Sequence, residues 1–287
     1  MAALSPLTAA LAAPPFAADH HLDGRPILPA VEAMEWLAAA AAARFPEIRV
    51  TDLTEIRFDK FLFLNPGGGR VQAAMRLTPL AHGRLDAVLE TRRQLSRAGL
   101  TRVLTHARMI FGAGGQTPPP APPPLRGELR AVPAEAVYRE LVPFGPGYRN
   151  IVGDLMIGAQ GALARVRSPC GDGRPAVLGS PYVLDAAFHA ACVWSQRHAG
   201  TVAFPVGLDR RRIFDPADCA GTYQVRVVPV PGAETDLRFD VYIHDDRGKP
   251  REAAWGVRMR DVSGGRRRPP AWIVEQTALR SGPRMPP

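Results

Sequence analysis

The chain has 287 residues, 46% of them apolar, and a formal net charge of +9. That is enough to bury one large core or two fused ones, and no uninterrupted apolar run reaches bilayer-spanning length. All but two of the 36 basic residues are arginine, scattered except at Arg210–Arg212 and Arg266–Arg268. No aromatic residues are interleaved with them, so they read as solvated surface and not as a nucleic-acid stripe, with an acidic protein partner as the alternative.

In chain order, Met1 to Phe16 is Ala- and Pro-rich without a basic start, which reads as an ordered or frayed leader and not as a signal peptide. Asp19 to Pro29 then spells H-x-x-x-G-x-x-x-x-P, with His20, Gly24 and Pro29 at its set positions. Here an imidazole stands before a glycine that lets backbone approach a ligand, and Pro29 suits the start of a helix. From Pro29 to Arg44 the sequence predicts a helix: it is Ala-rich, with Glu32 and Glu35 early and Arg44 late, as the helix dipole favours. Strand-like stretches follow at Ile48–Asp52, Ile56–Leu64, Val71–Pro79, Arg84–Leu95 and Thr101–Phe111, with a turn at Gly67–Gly69.

Gly112–Thr117 leads into six prolines within residues 118–124, which can join neither a helix nor a sheet interior. We assign 116–125 to an extended linker between a first unit, 1–115, and a second, 126–264. The second unit begins with a short helix at Ala134–Leu141 and a mostly extended Asn150–Arg167. A helix follows at Tyr182–His198, then strands at Thr222–Val230, Leu237–His244 and Ala253–Val262. The polar, Arg- and Pro-rich residues 265–287 read as a mobile tail. Cys170, Cys192 and Cys219 form an odd set without metal-ligand spacing, expected as reduced thiols of a cytoplasmic protein, partly in the core. Each unit has one strongly apolar helix and several alternating strands. Such a helix needs cover, and a curved antiparallel sheet provides it. That is the α+β arrangement expected of a hot-dog fold, and two such halves make a double hot dog, an identification carried by the motifs that follow.

Four fragments make the chain resemble the dehydratase domains of polyketide synthases, including those of polyunsaturated-fatty-acid-type synthases. They are the histidine motif from Phe16 to Pro29, the run Phe144-Gly145-Pro146-Gly147-Tyr148, the segment Ser180 to His189 that matches D-x-x-x-Q/H with Asp185 as the acid, and Phe204-Pro205-Val206. The resemblance implies removal of water from a 3-hydroxyacyl thioester on acyl carrier protein, with His20 as base and Asp185 as acid. A neutral imidazole suits removal of the α-proton near pH 7, and burial of Asp185 is expected to raise its pKa so that it can protonate the leaving hydroxyl. Backbone N–H groups near Gly24, or at the helix start after Pro29, are expected to meet charge on the thioester oxygen. His189, one turn after Asp185, is expected to orient its carboxyl, and Tyr148 to line the acyl or pantetheine channel beside Phe144, Gly145 and Pro146.

Departures from the pattern are Leu141-Val142-Pro143-Phe144, which loses a tyrosine hydroxyl, and a short segment before His20, so that the first strand of the leading hot dog is expected to be missing or rebuilt. Cyclase or double-bond isomerase activity on the same fold, a thioesterase, and a non-catalytic module that binds acyl chains or carrier protein are the alternatives. His82, His106, His198 and His244 read as structural or exposed. No metal or nucleotide motif is found, so the cofactor expected is none beyond the phosphopantetheine arm of the carrier. The expected partners are an acyl carrier protein and a second copy of the chain in a homodimer, with neither nucleic acid nor membrane. The chain contains no recognisable carrier, ketosynthase or reductase region, as expected for a discrete enzyme or an excised domain.

Overall fold

A computed structural model describes residues 7–14, 16–65, 69–95, 100–112, 121–170, 176–232 and 236–274. The chain opens with β1 (Leu7–Ala12). A small hairpin of β2 (His21–Leu22) and β3 (Arg25–Pro26) comes next, turned at Asp23 and Gly24, both with positive φ as a type I′ turn requires. Helix α1 (Ala30–Arg44) precedes β4 (Asp52–Phe58), β5 (Arg70–Leu80), β6 (Arg84–Leu95) and β7 (Leu100–Phe111). The second half brings β8 (Arg130–Pro133), the short helix α2 (Ala134–Ala136) running into a π-helical turn at Val137–Leu141, then β9 (Ile151–Gly158) and β10 (Gly161–Arg167). It ends with helix α3 (Pro181–Ala199) and strands β11 (Phe204–Ile213), β12 (Thr222–Val230), β13 (Leu237–Asp245) and β14 (Pro250–Arg260).

Among the described residues, twelve strands join one antiparallel sheet in the order β1-β5-β6-β7-β4-β11-β14-β13-β12-β10-β9-β8. Its first five strands come from the first half and wrap α1; the other seven come from the second half and wrap α3. Both helices are Ala-rich because their covers lie close: Met34, Leu37, Ala38 and Ala41 of α1, and Leu184, Ala186, Ala187 and Ala190 of α3, are fully buried. This is the double hot dog that the sequence predicts.

The two halves meet edge to edge where β4 pairs β11, with Arg212 opposite Asp52 and Leu208 opposite Ile56. The run Arg210–Arg212, expected at the surface, lies in this seam. Arg211 is 1% exposed and grips Glu252 of β14 through two hydrogen bonds of 2.7 and 3.0 Å, with Met34 of α1 beside it. Alternation sends its neighbours to the other face, where Arg210 and Arg212 both donate to Asp52 at 2.8–3.1 Å. Buried cations persist only when paired; Asp52 with Arg210 and Arg212 locks the seam, and Arg211 with Glu252 locks β11 to β14 beside it. Glu35 of α1 adds a tie to the second half by accepting from the N–H groups of Val177 and Leu178, just before α3.

Several expectations are corrected. Of the ordered and frayed readings of the leader, the ordered one holds at residues 7–12. They pair with β5 as β1, so the first strand of the leading hot dog is present. Residues 48–51 turn after α1, and the strand begins at Asp52. Cys170 and Cys219, 49 residues apart, form a disulfide, because the pairing of β10 with β12 brings the two segments together; Cys192 is the free cysteine, and it is buried. Residues 265–274 are fastened and not mobile: Ile273 is fully buried, Trp272 donates to Glu140, and Arg267 pairs with Asp23. The rest of that tail and residues 116–120 of the linker lie outside the described residues; 121–125 form neither helix nor strand.

Asp52→Ala, which removes the carboxylate that Arg210 and Arg212 share, is expected to lower unfolding free energy in denaturant titration by about 3 kcal/mol. Asp209→Ala, which breaks the more exposed pairs with Arg238 and Arg258, is expected to cost about 1 kcal/mol or less.

Candidate active site

His20 ends a single 3-10 turn (Ala17–Asp19) that the second half holds in place. The Asp19 carbonyl accepts from the N–H of Gly145, and its carboxylate from the N–H of Gly147, both at 2.8 Å. The approach is so close that a β-carbon at Gly145 would strike the Asp19 side chain, and one at Gly147 would strike Phe16. That is the physical reason for two glycines in the Phe144–Tyr148 run.

The His20 ring is 8% exposed, between Phe144 and Tyr148 at centroid distances of 4.3 and 5.0 Å. Its Nδ1 lies 3.3 Å from the Ile27 carbonyl, which can only accept, so Nδ1 carries the proton and Nε2 holds the free lone pair. Burial outweighs the neighbouring Asp185 and lowers its pKa from 6.5 to about 4, so at neutral pH the imidazole is uncharged.

Asp185 enters from the second half, in the second turn of α3, and is 4% exposed. Its Oδ1 is 4.0 Å from His20 Nε2; its Oδ2 is 2.9 Å from His189 Nε2, though out of line for a hydrogen bond. The expected upward pKa shift is not found. Burial does push the carboxyl up, but His189 and then His20 pull it down, and the net position is below the ordinary carboxylate value. The four-residue spacing stacks His189 over Asp185 on one face of α3, and Gln196 further along that face donates to the Leu141 carbonyl at 3.0 Å.

These groups face a cavity of about 910 Å³. His20, Asp185, His189 and Phe144 line it, together with apolar Phe58, Leu62, Phe188 and Met259. The other expected site residues sit elsewhere. Gly24 makes the β2–β3 turn and is exposed beside a smaller hollow, and buried Pro29 starts α1 by accepting from Glu32 and Ala33. Gly145 and Pro146 shape the turn that grips Asp19. Tyr148 stands behind His20 against Tyr182, its hydroxyl buried and without a hydrogen-bond partner among the described residues. Phe144, at the position of the lost hydroxyl, packs on both His20 and His189 and offers no donor. His106 also lines the cavity, but both its nitrogens are engaged, by the Lys60 carbonyl and the Thr91 hydroxyl. Cys192, Arg57 and Lys60, which no motif contains, also line the cavity, as do Glu55 and Asp59.

Models of two related domains match the chain: the polyketide synthase dehydratase N-terminal domain over residues 116–269, and the polyketide synthase dehydratase domain over 7–92. Among curated proteins, polyketide synthase ThaG of Burkholderia thailandensis is 29% identical over 186 residues, which are 61% of this chain and 3% of that protein. A polyunsaturated fatty acid synthase polypeptide of Thraustochytrium sp. is 27% identical over 208 residues, 68% of this chain and 7% of that protein. The chain thus spans a small fraction of the length of these relatives. Among solved structures, the dehydratase domain from the CurJ module of curacin polyketide synthase aligns with a TM-score of 0.68 at 16% identity, covering 85% of this chain and 86% of that one. The bifunctional dehydratase-cyclase domain of ambruticin biosynthesis aligns with a TM-score of 0.61 at 22% identity over the same shares.

The lowered His20 pKa sets a pH dependence of stability. The unfolded chain takes up this proton near pH 6.5 and the folded chain only near pH 4, so folding is opposed increasingly as pH falls through that window. Above pH 6.5 the contribution vanishes. His20→Gln is expected to remove roughly 3 kcal/mol of the stability lost between pH 6.5 and 4, measured by denaturant unfolding across that range.

Proposed function

This chain belongs to the polyketide synthase dehydratase family, and from that premise we propose that it removes water from a 3-hydroxyacyl thioester to give the 2-enoyl thioester. The observation that carries this reading is the meeting of His20 and Asp185, one from each half, at 4.0 Å on the wall of a single cavity. An uncharged imidazole with its lone pair on Nε2 is the form a base requires. In this mechanism Nε2 of His20 takes the proton α to the thioester carbonyl, and the bond between C3 and the hydroxyl oxygen breaks. The hydroxyl leaves as water with the proton of Asp185. The proton on His20 then passes to the Asp185 carboxylate, which restores the pair.

The acid step needs a protonated Asp185. An acyl chain that fills the cavity displaces water and strengthens the burial contribution, the one that raises this carboxyl. The cavity volume suits an extended acyl chain, delivered in this reading by a carrier protein on its phosphopantetheine arm. No metal or separate organic cofactor enters this scheme. The chain works as a homodimer in this reading, as the family resemblance implies.

The test is incubation with 3-hydroxyacyl pantetheine thioesters, followed by mass spectrometry and ultraviolet absorbance. Loss of the mass of one water with a conjugated-enoyl absorbance is expected, and His20→Ala and Asp185→Asn are each expected to slow it by about 10²–10⁴-fold. Enoyl absorbance that appears and then decays would redirect the assignment to cyclisation or isomerisation. Unchanged thioester at every chain length would favour a module that only binds.

A further inference from the structure

No motif contains Tyr138, and no step of the proposed dehydration uses it, yet it ties His189 of the active-site helix α3 to the backbone of the second half. It lies on the π-helical turn Val137–Leu141, where the N–H of Val142 donates to the Val137 carbonyl five residues back at 2.8 Å. A π turn inserts one residue into a helix and re-aims the side chains around it. Here Tyr138 is aimed at α3, 4% exposed, its ring edge-on to that of His189.

Among the described residues, three groups surround the Tyr138 hydroxyl: the backbone N–H of Asn150 at 3.0 Å, the backbone N–H of Ile151 at 2.9 Å, and Nδ1 of His189 at a longer 3.4 Å. A hydroxyl has two acceptor sites and one proton. Both backbone groups can only donate, so they occupy both acceptor sites, and the single proton remains for His189. Burial keeps the phenol protonated, raising its pKa well beyond its ordinary value against the pull of the two N–H groups. Nδ1 of His189 must then accept. In a neutral imidazole whose Nδ1 accepts, the proton is on Nε2, the atom 2.9 Å from Asp185 Oδ2.

We propose that Tyr138 is a positioning residue that holds His189 as the neutral Nε2–H tautomer, so that an N–H and not a lone pair faces Asp185 Oδ2 at 2.9 Å while Oδ1 stays turned to His20. The proposal rests on the reading of Asp185 as the acid of the dehydration. Its first consequence is that His189, with no free lone pair, is not a second base. Its second is a physical reason for the Gln-or-His choice in the D-x-x-x-Q/H motif. A glutamine at 189 reproduces the same polarity, its carbonyl accepting from Tyr138 and its amide donating to Asp185, and has no tautomer to hold.

The test uses the full chain with ¹⁵N-labelled histidine and long-range ¹⁵N–¹H correlation at neutral pH, the His189 signals being those absent from His189→Gln. The wild type is expected to show one neutral tautomer at His189, protonated at Nε2. Tyr138→Phe is expected to mix the two tautomers. Its kcat on the hydroxyacyl thioester is expected to fall about tenfold with KM changed by about twofold or less, and the same substitution in the His189→Gln background to cost about twofold or less. A proton on Nδ1 in the wild type overturns the proposal, and so does an unchanged His189 tautomer in Tyr138→Phe. If that variant does not fold, the wild-type spectrum alone decides. An inactive wild type with the Nε2–H tautomer intact would remove the dehydratase reading and leave this assignment standing.

Discussion

The pairing of the β11 arginines with carboxylates on the strands to either side, β4 across the seam and β14, is the constraint on which the rest of the structure depends. A guanidinium cannot shed its proton, so Arg211 and Arg212 are tolerated inside only if carboxylates reach them. Glu252 on β14 and Asp52 on β4 meet that need from opposite sides of β11. Together with the backbone ladder they favour one register over its neighbours, since a slip by one residue would reverse the faces on which Arg211 and its neighbours lie. The register determines where α1 and α3 lie, and therefore where the two halves leave a cavity between them.

Within that cavity the chemistry follows from limited hydrogen-bonding capacity. The Ile27 carbonyl, which only accepts, dictates which nitrogen of His20 carries the proton. Two backbone N–H groups, which only donate, dictate what the Tyr138 hydroxyl has left to give. Such one-way bonds specify protonation in a buried site where water is scarce. Burial opposes the ionised form of Asp185, while His189 and then His20 favour it, and the net result holds the carboxyl below its ordinary value.

Much of this was legible from the residues. Both long helices and most strands followed from alanine content and alternation, and the double hot-dog class from those together with the four motif fragments. The spacing of His20, Gly24 and Pro29, and of Asp185 and His189, picked out residues of which His20, Asp185 and His189 converge on the cavity. The misses have particular causes. The Arg210–Arg212 run looked like a solvated charge cluster because local sequence carries no sign of the carboxylates more than a hundred residues before it and forty after. Gly24, Pro29 and Tyr148 were expected at the substrate, but they belong to a turn, a helix start and the packing behind His20. Tyr138 sat in a stretch that read as ordinary helix, since a π turn has no distinct composition.

The sequence by itself determined most of the segments that are helix or strand and which side chains are candidates for an acid–base pair, because periodicity, propensity and residue type act over one or two turns of chain. Only the tertiary structure decided that His20 is uncharged, that Asp185 lies below its ordinary pKa and that Cys170 meets Cys219. The first two depend on burial and on charges brought in by a different half of the molecule, and the third on the register of paired strands. None of these is a property of any local stretch of residues.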